Sequence, residues 1–188
     1  MRPLGVLGGT FDPVHNAHLE LARTALAALD LERVLWIPTG APRYREPPVA
    51  AAPHRVAMLE LAIGGEPRYA IDERELAPGG SGYSYDMLAS LRSELTGISL
   101  VLLMGADQYS KIETWHRWRE LPRLCRIAVF ARPGWPEPPA SVTRVSMPPL
   151  AVSGTEIRAC IARGDDVSAM LPPAVLDYIR THHLYGHP

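Results

Sequence analysis

The residues best placed to do chemistry stand near the start, in Gly8-Gly9-Thr10-Phe11-Asp12-Pro13-Val14-His15-Asn16-Ala17-His18. Gly8 and Gly9 carry no side chain to hold a ligand off the backbone. A helix that follows such a loop turns unpaired N–H groups and the positive end of its dipole toward an anion. His15 and His18 are three positions apart, which on a first helical turn puts both imidazoles on one side, aimed back at the glycines. Two such donors could grip one phosphate. A phosphoryl transition state gathers negative charge on its non-bridging oxygens, so fixed donors there lower the barrier without any covalent intermediate. Taken alone, a histidine pair of this spacing also suits two solvated residues capping a helix, and without further ligands it makes no metal site.

Two further stretches have the same strand-to-helix character. In Val152-Ser153-Gly154-Thr155-Glu156-Ile157-Arg158, Ser153 or Thr155 can cap a helix whose first N–H groups hold phosphate oxygens. Arg158, one turn on, adds a fixed positive fork. The same pattern also describes an ordinary capped helix. Gly105-Ala106-Asp107 follows the most apolar run in the chain. There a glycine could admit a flat base against the backbone and Asp107 could bind ribose hydroxyls or simply cap a short helix.

These groups need elements to carry them. Short apolar runs at Met1 to Gly8, Arg33 to Pro38, Tyr69 to Asp72, Ile98 to Met104, Leu124 to Ala131 and, more weakly, Val142 to Ser146 read as strands. Between and after them, apolar residues recur at helical spacing over Asn16 to Leu29, His54 to Ile63, Tyr83 to Leu95, Thr155 to Ala162, closed by Gly164, and Pro172 to His182. Strands alternating with helices predict an α/β fold, an open parallel sheet covered on both faces that binds ligands beyond the carboxyl ends of its strands.

Bulk properties set the limits. With 188 residues, 47% of them hydrophobic, the chain can close one good core but is short for two. A formal net charge of -1 argues against a protein that wraps nucleic acid, which needs a basic excess to displace counterions. No segment has the length and apolarity of a membrane span or a secretory leader, so we expect no membrane partner and a cytoplasmic location. Cys125 and Cys160 lack the close spacing of a metal or redox pair and read as buried thiols.

Set side by side, the motifs carry a resemblance. G-G-T-F-D-P-x-H-x-x-H after an N-terminal strand resembles the signature of the nucleotidyltransferase superfamily, whose usual form has glycine where this chain has Ala17. The V-S-G-T-E-I-R run is similar to that superfamily's I-S-S-T-x-I-R, with Gly154 at a usual serine. Over essentially its whole length the chain looks like the bacterial nicotinate-nucleotide adenylyltransferases. Gly82-Tyr83-Ser84-Tyr85-Asp86-Met87-Leu88 is similar to their S-Y-T-x-D-T-L, and Gly105-Ala106-Asp107 with Trp115-His116-Arg117-Trp118 to their G-A-D and W-x-x-W. Pro42-Arg43-Tyr44-Arg45 stands where they have P-P-H-K.

The resemblance implies a Rossmann-like, doubly wound parallel sheet in three α/β/α layers, with residues 1–188 forming one nucleotidyltransferase domain. It implies transfer of the adenylyl group of ATP to nicotinate mononucleotide, giving the dinucleotide and pyrophosphate. His15, His18 and Arg158 would be catalytic. Gly8, Gly9, Thr10, Gly105, Asp107, Ser153 and Thr155 would bind ATP, and Arg45, Ser84 and Trp115 the mononucleotide. The N–H groups at the Ser84 helix start suit a pyridine carboxylate, and a Trp115 face suits a pyridinium ring. Trp118 is expected in the core. No carboxylate cluster suggests a dedicated cage for metal, so Mg²⁺ is expected to arrive with ATP. A phosphopantetheine adenylyltransferase and a nucleotide-binding module without catalysis share parts of this pattern. Whether copies assemble into a homo-oligomer is left open by the sequence.

Overall fold

Six strands form a wholly parallel sheet: β1 (Leu4–Gly9), β2 (Arg33–Pro38), β3 (Tyr69–Ile71), β4 (Leu100–Gly105), β5 (Arg126–Phe130) and β6 (Thr143–Val145). Their order across the sheet is β3-β2-β1-β4-β5-β6. The direction of winding therefore reverses between β1 and β4, the place where open α/β sheets leave a crevice at their carboxyl ends. The computed structural model describes residues 2–40, 46–131, 134–148 and 150–186.

β4 is apolar throughout, and β5 after its exposed first residue Arg126, because both of their faces are buried. In β4, Leu100, Leu102 and Met104 enter one core, and Val101 and Leu103 the other. In β5, Ile127 and Val129 oppose Ala128 and Phe130 in the same way. This two-residue alternation divides the interior into two layers. Helices α1 (Asn16–Ala28), α2 (Ala52–Ile63), α6 (Gly154–Arg163) and α7 (Pro173–Thr181) cover one face. Helix α3 (Ser84–Glu94) and the short α4 (Ala106–Tyr109) and α5 (Leu121–Leu124) cover the other. The architecture is the doubly wound, three-layer α/β/α sheet that the alternation of strands and helices predicts.

Element by element the differences are local. Leu124 closes α5 instead of opening the fifth strand, because Pro122 starts a helical turn that persists until Cys125 turns extended. Helices α4 and α5, four residues each, are too short for apolar periodicity to reveal. Cys125 is buried as expected. Cys160 is not: it lies only half-buried beside the inward Ile157 and Ile161 of α6, with its sulfur 3.3 Å from Nη2 of Arg163. Gly164 closes α6 with φ of 78°, a left-handed conformation that glycine adopts without steric cost.

Candidate active site

The loop from Gly8 to Val14 leaves the carboxyl end of β1 and turns back into α1. Phe11 takes φ of +50°, a strained value for a residue with a side chain, and its ring is almost fully buried. It packs edge-on against His18 at 5.1 Å between centroids and tilted on Trp36 at 5.5 Å. Packing of this ring therefore holds the bend. His15 is the N-cap of α1 in an extended conformation, and His18 is the third residue of the helix. The two imidazoles stack at 3.7 Å with 22° between planes. The His15 amide donates to Nδ1 of His18 at 3.3 Å. An accepting Nδ1 puts the proton of the neutral ring on Nε2, which makes that nitrogen the donor of His18. Asn16 ties this turn to the segment before α7, its amide donating to the Met170 carbonyl and its side chain to the Ala169 carbonyl, both at 3.0 Å.

Asp12, six residues before His18, is 6% exposed and acts as a hub. Its Oδ1 accepts from the Tyr185 hydroxyl at 2.7 Å and from the Ala50 amide at 3.1 Å, and its Oδ2 accepts from the Val49 amide at 2.7 Å. Buried carboxylates persist only with such partners. Arg158, from α6, donates through Nη1 to the Asp12 backbone carbonyl at 2.7 Å, with the same nitrogen 3.8 Å from Oδ2. Its Nη2 reaches Oγ1 of Thr155 at 3.4 Å. Ser153 caps α6 by accepting from the Glu156 amide at 3.2 Å. Gly154 sits so close to the first motif that a Cβ there would lie 3.1 Å from the Asp12 carbonyl oxygen. Arg55, 2% exposed, donates to the Thr10 carbonyl at 2.6 Å and to the Ala50 carbonyl at 3.2 Å. Burial lowers its pKa, opposed by the attraction of Asp12.

A cleft opens beside this cluster. Its floor is Gly8, Gly9 and Thr10 with Met104 of β4, and its far wall is Tyr83, Ser84 and Met87 with Trp115 and His116. Ser84 is the first residue of α3, so the N–H groups of that first turn have no acceptor inside the helix. Tyr83 and His116 pack at 4.6 Å, and the Arg117 guanidinium covers Tyr85 at 3.9 Å, which seats the Trp115 loop against the start of α3. Glu75 fixes the approach to that helix, accepting from the Gly82 amide at 2.8 Å.

Of the residues singled out from the sequence, Gly8, Gly9, Thr10, Ser84 and Trp115 line the cleft. His15 and His18 stack on each other at the start of α1, while Arg158, beside Thr155 on the helix that Ser153 caps, reaches the Asp12 carbonyl of the loop leading into α1. Gly105 and Asp107 stand at the end of β4 and the start of α4, outside the cleft wall, where Gln108 is the lining residue of that turn. Arg45 lies outside the described residues, as does Tyr44. Trp118 packs partly buried on the α3 side of the core. Asp12, Arg55, Tyr185 and His116 belong to the site as well. Asp12 and His116 stand inside quoted motifs and Arg55 inside the predicted helix His54 to Ile63, yet only long-range contacts give them a task, and Tyr185 had no signal at all.

The chain matches the cytidylyltransferase-like family model over residues 6–160. It is 44% identical to the probable nicotinate-nucleotide adenylyltransferase of Laribacter hongkongensis, in an alignment covering 97% of this chain and 94% of that one. It is 41% identical to the probable nicotinate-nucleotide adenylyltransferase of Bordetella petrii, covering 98% and 100%. Its fold is similar to that of the Plasmodium falciparum nicotinic acid mononucleotide adenylyltransferase complexed with NaAD, with a TM-score of 0.84 at 17% identity, over 100% of this chain and 99% of that one.

Proposed function

The chain belongs to the cytidylyltransferase-like family and, within it, to the nicotinate-nucleotide adenylyltransferases, and from that membership we propose that it joins nicotinate mononucleotide to the adenylyl group of ATP, with loss of pyrophosphate, in the biosynthesis of NAD. A phosphate oxygen of the mononucleotide attacks the α-phosphorus in line. The bond from that phosphorus to the bridging oxygen breaks, and its electron pair leaves with pyrophosphate. No protein nucleophile takes part.

The work left to the protein is positioning and charge stabilisation. Nε2 of His18 is the donor offered to the α-phosphate, with His15 stacked beneath it to fix the ring. Arg158 and the first turn of α6, with Ser153 and Thr155, hold the leaving phosphates. Gly8, Gly9 and Thr10 let the triphosphate approach the backbone, and Gly105 and Asp107 serve the adenosine. The cleft takes the mononucleotide, with Trp115 against the pyridinium face and the α3 N-terminus at Ser84 facing its carboxylate. Arg45 is assigned to the incoming phosphate. Mg²⁺ belongs to the ATP, screening its phosphates. Among the described residues no group of three or more His, Cys, Asp or Glu is arranged to hold a metal ion. We place the enzyme in the cytoplasm as one domain over residues 1–188. Among the described residues no helix is long and apolar enough to cross a membrane.

The observation that carries this reading is the bond from Arg158 to the Asp12 carbonyl, which sets the glycine loop of the first motif against the helix of the second. The test is pyrophosphate release from ATP and Mg²⁺ with nicotinate mononucleotide, nicotinamide mononucleotide or phosphopantetheine as acceptor. Release is expected with the nicotinate compound well above the other two. Equal release with the amide would remove the role given to the Ser84 helix start, and no release with any acceptor would leave a binding module.

A further inference from the structure

We infer that Tyr185 is a positioning residue that acts through Asp12 to keep the Arg158 guanidinium available to a bound triphosphate. This rests on the function proposed above. Tyr185 lies in the 3₁₀ turn Leu184–Gly186, 173 positions from Asp12, and its hydroxyl is buried against Oδ1 at 2.7 Å. It is not among the residues that line the cleft, and its hydroxyl is spent on Asp12, so its effect on the reaction passes through that partner.

The coupling depends on how the Asp12 carboxylate is satisfied. Two backbone amides and one phenol donate to it, and among the described residues its ion-pair partner is Nη1 of Arg158, 3.8 Å from Oδ2 and already committed to the Asp12 carbonyl. A buried carboxylate that loses a donor draws in the nearest charge, because an unmet lone pair in a dry site is costly. Without the Tyr185 hydroxyl, the charge at hand is Arg158, whose side chain is 27% exposed. Arg55 is held by the Thr10 and Ala50 carbonyls. Drawn fully onto Asp12, the Arg158 fork would turn from Thr155 and from the phosphates it is to bind. Burial, and then the Asp12 charge, push the Tyr185 pKa far up, so the phenol stays a donor throughout the working pH range.

The substitution Tyr185→Phe removes only the hydroxyl and keeps the ring packed. The measurement is calorimetric affinity for ATP with Mg²⁺, in the intact chain and again in an Arg158→Ala background, alongside kcat for pyrophosphate release. Tyr185→Phe is expected to weaken ATP binding about fivefold or more with Arg158 present, to lower kcat while leaving KM for nicotinate mononucleotide within about twofold, and to do nothing further once Arg158 is gone. ATP affinity unchanged by Tyr185→Phe, or an equal loss in the Arg158→Ala background, overturns the inference. A thermal midpoint lowered without any change in ATP affinity overturns it too, since that is what a purely structural tyrosine would give. Should the unaltered chain bind ATP yet form no dinucleotide, the proposed reaction fails while the Tyr185 coupling still stands or falls on the affinities.

Discussion

The guanidinium of Arg158 reaches back across 146 positions of chain to the backbone carbonyl of Asp12 at 2.7 Å. It also touches Thr155 at 3.4 Å, so it spans the loop of the first motif and the helix of the second. Lysine carries the charge but has no rigid fork to make both contacts. Arg158→Lys is therefore expected to lower kcat for pyrophosphate release about tenfold and Arg158→Ala about a hundredfold or more. Equal rates for wild type and Arg158→Lys would show that only charge at that position matters.

His18 and His15 should differ in kind. His18→Ala removes the donor from Nε2 and is expected to cost about a hundredfold in kcat, comparable to the loss of one oxyanion-type donor. His15 is buried as the cap of α1 and the stacking partner of His18. His15→Ala should lower the thermal midpoint as well as the rate. Steady-state kinetics with a melting curve on each variant separates the two, and an unaltered rate in His18→Ala would end its assignment.

Adjacent glycines offer a sharper contrast. A Cβ on Gly8 would meet no atom within 4 Å and would stand in the open cleft, whereas one on Gly9 would lie 2.9 Å from the Phe11 ring. Gly8→Ala should keep its melting temperature and bind ligand about tenfold more weakly, by occupying ligand space. Gly9→Ala should lose stability by roughly 1–3 kcal/mol, typical of overpacking. Urea titration and calorimetry on the pair test both halves.

Trp115 lines the cleft and Trp118 does not. Trp115→Ala is expected to raise KM for nicotinate mononucleotide about tenfold, the order of one lost ring stack with a cation, with KM for ATP little changed. Trp118→Ala should lower stability and leave both constants near their normal values. The reverse pattern would exchange the two roles.

Alkaline pH should weaken the fold. Burial raises the Cys125 thiol from 9.0 to about 11 and the Tyr69 phenol from 10.0 to about 12. Both groups favour the neutral form when folded. The stability they contribute is whole below the unfolded pKa and is lost as pH rises through the folded value. The urea midpoint should hold steady to about pH 9 and then fall, Cys125 accounting for on the order of 2 kcal/mol of the decline up to about pH 11. Cys125→Ala should flatten that first part of the curve, and an unaltered slope would show that the thiol is not the cause.

The sequence alone settled whatever depends on neighbours in the chain. The glycine loop, the histidines three apart and the helix starts after Gly9, at Tyr83 and at Ser153 follow from spacing, because helical pitch and strand alternation act over a few residues. So did the burial of β4 and β5 on both faces, legible as apolar runs interrupted in β5 only by Arg126. Only the tertiary structure could decide that Asp12 gathers Val49, Ala50, Tyr185 and Arg158, or that His116 and Tyr83 stand beside Trp115 in the cleft. Those contacts are set by the order of strands and the paths of the crossovers between them. No local spacing encodes which distant donor will find a buried carboxylate; the folded chain selects it, because the carboxylate cannot remain buried without one.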